Sequence, residues 1–301
     1  MVEWVYGPVI AGMKVGFAAL GLRFVERGYE NLPRSGGAVL AINHVSYFDF
    51  IFAGKSADPI GRKVRFMAKD VVFRHKVAGP LMRGMKHIPV DREAGAGAYA
   101  AAVTALRDGE LVGVFPEGTT SRSYTIKEFK TGAARMAAEA GVPIVPVVTW
   151  GGQRLYTKGH KPDLRTRGRA ISITVGEPIP VAPDADPVEV TEHLRGVMSR
   201  LLDETVRAHP QGPDGPDDTW WLPPDHRTPR GRPQRSSGRA CRGCSTATAA
   251  RPRPRRPCRR DAGRPARRRP PRSRYAATRA PAGSRPSTNA GSSWIGDRAV
   301  G

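Results

Sequence analysis

The sequence predicts an α/β layered domain built on a mainly parallel mixed sheet flanked by helices. Short apolar runs rich in Val and Ile alternate with longer helical segments through residues 36–208, as strands do when helical crossovers join them. Polar clusters fall at the ends of three of these runs, where sites form in such sheets. A third observation sets the limit of the domain. Residues 225–301 carry 21 Arg, no Lys and 3 Asp, so +18 of the chain's +22 lies there.

At the N-terminus, residues 4–25 (WVYGPVIAGMKVGFAALGLRFV) are apolar but interrupted by Pro8, Lys14 and Arg23. No unbroken run reaches the ~20 residues that span a bilayer, and no basic stretch with a small-residue cleavage site marks a secretory signal. Trp4, Tyr6 and spaced basic residues suit a helix lying in a membrane interface; the alternative is a buried amphipathic helix of a soluble domain. Residues 1–30 are therefore expected to be an N-terminal helical segment in contact with the membrane.

Residues 37–42 read as a buried strand and 48–55 as a helix. A strand at 64–68, a helix at 77–85 and a short strand at 87–90 follow. Residues 94–108 are alanine-rich and helical, ending at Gly109 as helices often do. The run 111–115 is apolar and fit for the middle of a sheet. A helix at 131–140 stops at Gly141, strands follow at 144–150 and 170–175, and 188–209 is a closing amphipathic helix. Residues 31–210 thus form the expected α/β domain.

Residues 211–301 are expected to be a Pro/Arg-rich disordered tail, because a segment nearly free of large aliphatics cannot offset its chain entropy by burial. From about 225 the composition is also what a GC-rich gene gives when read in the wrong frame. Read over the whole chain, a pI near 10.9 suggests nucleic-acid binding. Residues 1–224, with 28 Lys+Arg against 24 Asp+Glu, do not, and no nucleic-acid partner is expected. All three cysteines (Cys241, Cys244, Cys258) lie in the tail. One Cys-x-x-Cys without a second pair is a weak metal or redox signal, so no metal site is expected.

Four features carry possible chemistry. In NHVSYFDF (Asn43 to Phe50), His44 and Asp49 are five residues apart and share no face of a regular helix. They can meet only if His44 precedes the helix and Asp49 lies in its first turn. Two readings stay open at this point: a capping box on Ser46 and Asp49, or a histidine base oriented by a carboxylate. FPEGTTSR (Phe115 to Arg122) offers amides, hydroxyls and a guanidinium that could hold an anion, or is a solvated turn. Arg92 and Lys130 are surface cations or further anion ligands. GVPIVPV (Gly141 to Val147) is rigid and apolar. No Gly-x-Ser-x-Gly, dinucleotide or P-loop motif occurs, and residues 1–224 contain no cysteine. A base without a protein nucleophile implies attack by a substrate hydroxyl.

Together, NHVSYFD, GMKHIPVDR (Gly84 to Arg92), FPEGTTSR and VPIVPV (Val142 to Val147), in this order, resemble the glycerolipid acyltransferase family that includes 1-acylglycerol-3-phosphate acyltransferases. The resemblance covers roughly residues 1–210. It implies a glycerol-3-phosphate acyltransferase-like fold, with His44 as general base and Asp49 as its orienting carboxylate. Arg92 would bind the acceptor phosphate, and Glu117, Gly118 and Thr119 would form the acceptor turn, with Arg122 and Lys130 adding charge. It further implies lysophosphatidate as acceptor and an acyl-CoA or acyl-carrier-protein thioester as donor. No other cofactor is implied, and the location would be the cytoplasmic face of the cell membrane. Another lyso-lipid or glycolipid acceptor is the nearest alternative. A different class of reading is an inactive core whose basic tail binds nucleic acid or an anionic membrane.

Overall fold

The computed structural model describes residues 5–91 and 95–227. Seven strands form one sheet in the order β1-β7-β6-β2-β5-β3-β4: β1 (Arg23–Arg27), β2 (Ala38–Ile42), β3 (Val64–Lys69), β4 (Ile88–Val90), β5 (Leu111–Val114), β6 (Ile144–Trp150) and β7 (Ala170–Val175). Every pairing is parallel except β6 with β7. The expected mainly parallel mixed sheet is therefore the observed one. Every residue of β2, β5 and β6 is buried, so their unbroken apolar runs follow from cover on both faces.

One face packs against α5 (Gly95–Arg107), α6 (Gly132–Ala140) and α7 (Pro187–Ala208), burying Val39, Val112, Leu106, Met136 and Met198 among others. On the other face Leu40, Ile42, Phe66 and Val145 pack around Phe52 of α2 (Asp49–Lys55). A smaller cluster of Tyr6, Phe73, Met82 and Met85 joins α1 (Tyr6–Ala19) to α3 (Asp70–Arg74) and α4 (Ala78–Gly84).

Two expectations are corrected. Residues 1–30 are not one helical segment: α1 ends at Ala19, and Arg23–Arg27 pairs with Ala170–Thr174 as an edge strand of the sheet. Val25 and its neighbours found a strand partner some 145 residues away, which local sequence does not show. No helix among the described residues is long and apolar enough to cross a membrane. The tail also begins later than 211. Residues 211–227 fold back on the domain: Trp221 is 1 % exposed, the Arg154 guanidinium lies 4.4 Å from its ring, and Arg154 bonds Asp214 at 2.7 Å and Asp218 at 2.8 Å. Two tryptophans and two aspartates in a Pro/Gly-rich stretch supply what the composition argument averaged away. The rest of the expected tail, with its three cysteines, lies outside the described residues.

Removing a fully buried indole costs about 3–5 kcal/mol. Trp221→Ala should therefore lower the unfolding free energy by about that much in a denaturant titration, whereas a free tail would leave it unchanged.

Candidate active site

The chain leaves β2 at Ile42 and must turn sharply to start α2. The Asp49 carboxylate closes this turn. Its Oδ2 accepts the backbone N–H of Val45 and of Ser46, both at 2.7 Å, and lies 3.1 Å from His44 Nδ1. Its Oδ1 accepts the Thr149 hydroxyl of β6 at 2.9 Å. Asp49 is 1 % exposed, and as the first helical residue it also suits the positive end of the α2 dipole.

In NHVSYFDF the helix-start contact and the imidazole contact of Asp49 occur together, with the cap placed differently from the expected one. Phe48, not Ser46, stands before the helix. Ser46 Oγ accepts the Phe48 N–H at 3.1 Å and donates to the Tyr156 carbonyl at 2.9 Å. His44 precedes the helix and Asp49 lies in its first turn, as the spacing required.

Because the carboxylate accepts at Nδ1, the imidazole proton is held there and Nε2 is left as the basic atom. Thr120 Oγ1 lies 3.1 Å from Nε2, and the Phe115 ring packs on the imidazole with centroids 4.4 Å apart. The backbone is fixed from both sides. The His44 N–H donates to Glu117 Oε1 at 2.9 Å, and the His44 carbonyl accepts the Ser121 N–H at 2.6 Å. Asn43 completes the frame by bonding the Thr149 carbonyl at 3.1 Å and N–H at 2.8 Å.

The FPEGTTSR segment is the turn after β5, and it divides the predicted residues. Glu117 is buried against His44. Gly118 adopts φ +67, a left-handed conformation suited to glycine, with the Lys130 side chain 3.4 Å from where a Cβ would stand. Gly118 and Lys130 line a cleft of about 600 Å³ together with His44, Phe115 and Lys69. Apolar side chains including Phe50, Phe66, Met82, Val90 and Met136 line its remaining wall. Thr119 is exposed and accepts from Lys127 Nζ at 2.6 Å. Arg122 is exposed beside Gly159 and does not line this cleft. Arg92 lies outside the described residues. VPIVPV runs into β6, with its alternate side chains buried in the two face clusters. Thr120, Thr149, Asn43 and Lys69 escaped sequence reasoning. Thr120 occupies the variable position of its motif, and Thr149 meets Asp49 only through the pairing of β2 with β6.

Burial pushes the Glu117 carboxyl up to about 7, opposed by the His44 N–H and nearby cations. Burial, with Arg154 and Arg23 nearby, pushes the His209 imidazole down to about 4.

A mainly parallel sheet carries a carboxylate-held imidazole at its strand ends, opening into an apolar cleft edged by lysines, an arrangement suited to an enzyme acting on a substrate with a long apolar group. Known proteins identify the family. Residues 23–150 match the Acyltransferase family. A 1-acyl-sn-glycerol-3-phosphate acyltransferase of Bacillus subtilis is 32% identical over 155 residues, covering 50% of this chain and 70% of that protein. One of Borreliella burgdorferi is 30% identical over 152 residues, covering 49% of this chain and 59% of that protein. The crystal structure of the 1-acyl-sn-glycerophosphate acyltransferase PlsC of Thermotoga maritima shares the fold, with TM-score 0.58 and 24% identity, covering 68% of this chain and 81% of that one. The chain belongs to the acyltransferase family, and it is an enzyme of that type.

The two shifted groups oppose each other in pH. Glu117, raised in the folded protein, contributes stability that is full below about 4.5 and lost as pH rises through about 7. His209, lowered, contributes stability that is full above 6.5 and lost as pH falls through about 4. Glu117→Gln should keep the bond to the His44 N–H but remove the first slope. The unfolding free energy of the variant should then rise from pH 4.5 to 6.5 more steeply than that of the wild type, measured by denaturant titration at several pH values. Equal slopes would place the Glu117 carboxyl in its ordinary range.

Proposed function

We propose that this enzyme transfers a fatty acyl group from a thioester to the free hydroxyl of 1-acylglycerol-3-phosphate, giving phosphatidate. The observation that carries the proposal is the Asp49–His44 pair, with Nε2 at an apolar cleft large enough for part of an acyl chain. The names of the relatives support the same acceptor. His44 Nε2 takes the proton from the acceptor hydroxyl as that oxygen attacks the thioester carbonyl. Asp49 steadies the imidazolium that forms. The tetrahedral intermediate then collapses, expelling a thiolate that takes the proton back from Nε2. Thr120 is the partner of Nε2 in the resting enzyme, and the acceptor hydroxyl takes its place.

The apolar wall seats acyl carbon, and the cations at the cleft edge, Lys130 with Lys69, face the acceptor phosphate. Arg92 joins them on the strength of the resemblance, while Glu117 and Gly118 hold the turn beneath. Thr119 and Arg122 act at the outer rim of that turn. The donor is acyl-CoA or acyl carrier protein. The enzyme works at the membrane surface on its cytoplasmic face, with the exposed outer side of α1 against the lipid.

His44→Ala should lower turnover by about 10²–10⁴-fold while the far-UV circular dichroism stays unchanged. Labelled acyl-CoA with a panel of acceptors tests the substrate. Lysophosphatidate should be acylated faster than a lysophosphatidylcholine or a glycolipid, and a reversed order would reassign the acceptor within the family. A variant retaining more than about a tenth of the activity would remove His44 from the base role.

A further inference from the structure

Four of the large apolar side chains exposed among the described residues belong to one short stretch, the α3–α4 hairpin: Val71 (61 %), Val72 (37 %), Val77 (67 %) and Leu81 (39 %). Exposed β-branched chains at such density on a surface mark a contact. The same stretch, residues 69–86, holds Lys69, Arg74, Lys76, Arg83 and Lys86 against the single acidic residue Asp70, a net +4. All five cations are exposed, and Asp70 is already paired with Arg74. Apolar tips ringed by cations complement an anionic lipid surface, where the tips enter the acyl boundary and the cations meet headgroups.

The inner side of the hairpin shows why a bilayer, rather than a protein, would lie there. Val72 lines the His44 cleft, and Leu81 lines a second apolar cavity of about 210 Å³ under α1. Phe50, Phe66 and Met82 line both cavities. Val72 and Leu81 thus join the exposed apolar surface to the walls of both cavities. We propose that the α3–α4 hairpin inserts into an anionic bilayer alongside the outer side of α1 and opens the cleft directly to membrane-borne acceptor. The proposal rests on the lipid acceptor inferred above. It assigns insertion to a segment that neither its length nor its hydropathy marks as membrane-bound, and that packs against α1 through Tyr6, Met82 and Met85.

The test uses the full chain in flotation with vesicles of phosphatidylglycerol and phosphatidylcholine at 0.5 M NaCl. At that ionic strength the screening length is roughly 4 Å, which suppresses long-range attraction by the Arg-rich residues 225–301. Val71→Asp/Val77→Asp should lower the bound fraction roughly tenfold, and Val71→Ser/Val77→Ser by less, because insertion follows buried apolar area. Neither side chain lines either cavity, so turnover of a short-chain, water-soluble lysophosphatidate should stay within about twofold of the wild type. Flotation of the Asp variant within twofold of the wild type overturns the proposal, as does binding lost only in Val15→Asp on the outer side of α1. Loss of short-chain turnover together with binding also overturns it, since the hairpin would then be shaping the site. Vesicle binding retained while turnover falls only with an acyl-carrier-protein donor assigns the patch to a protein instead. If the wild type turns over no lysophosphatidate of any chain length, the proposed activity fails, but flotation still reads the docking.

Discussion

One buried carboxylate holds the site together. Asp49 places two backbone N–H groups and an imidazole on one oxygen and a β6 hydroxyl on the other. Removing such a group from water is costly unless every lone pair finds a donor, and here each oxygen does. The same contacts close the β2–α2 turn, start the helix, orient the imidazole and tie the turn to β6. The turn therefore cannot relax without disturbing the imidazole.

The sheet makes that arrangement possible. With β2 flanked by β5 and β6 and both faces covered, the end of β2 is held by strands that themselves cannot shift. The turn after β5 then reaches across to hold both the N–H and the carbonyl of His44. The loop after β6 supports it from below. Gly152 lies so close that a Cβ there would stand 2.8 Å from the Phe52 ring, which only glycine permits.

Much of this was legible in the sequence, because the buried strands are continuous apolar runs and the helices end at glycines such as Gly109 and Gly141. The His44–Asp49 relation was legible too, since five-residue spacing admits contact only across a helix start. What escaped had non-local causes. Arg23–Arg27 is a strand only because Ala170–Thr174 offers it an edge. Residues 211–227 are ordered because Arg154, buried elsewhere, needs the carboxylates of Asp214 and Asp218. Thr149 and Thr120 reach the site through sheet pairing and a turn, neither of which has a local signature.

The hydroxyl of Thr120 on His44 Nε2 bears on fidelity as well as geometry. With His44 in the proposed base role, a reactive nitrogen that already holds a hydrogen bond gives a stray water little to gain by entering. An acceptor alcohol carried in on its own lipid anchor can displace the threonine, because binding elsewhere on the molecule compensates for the exchanged bond. In the proposed reaction, a small hydroxyl in that position would guard the thioester against hydrolysis until a lipid is there to receive the acyl group.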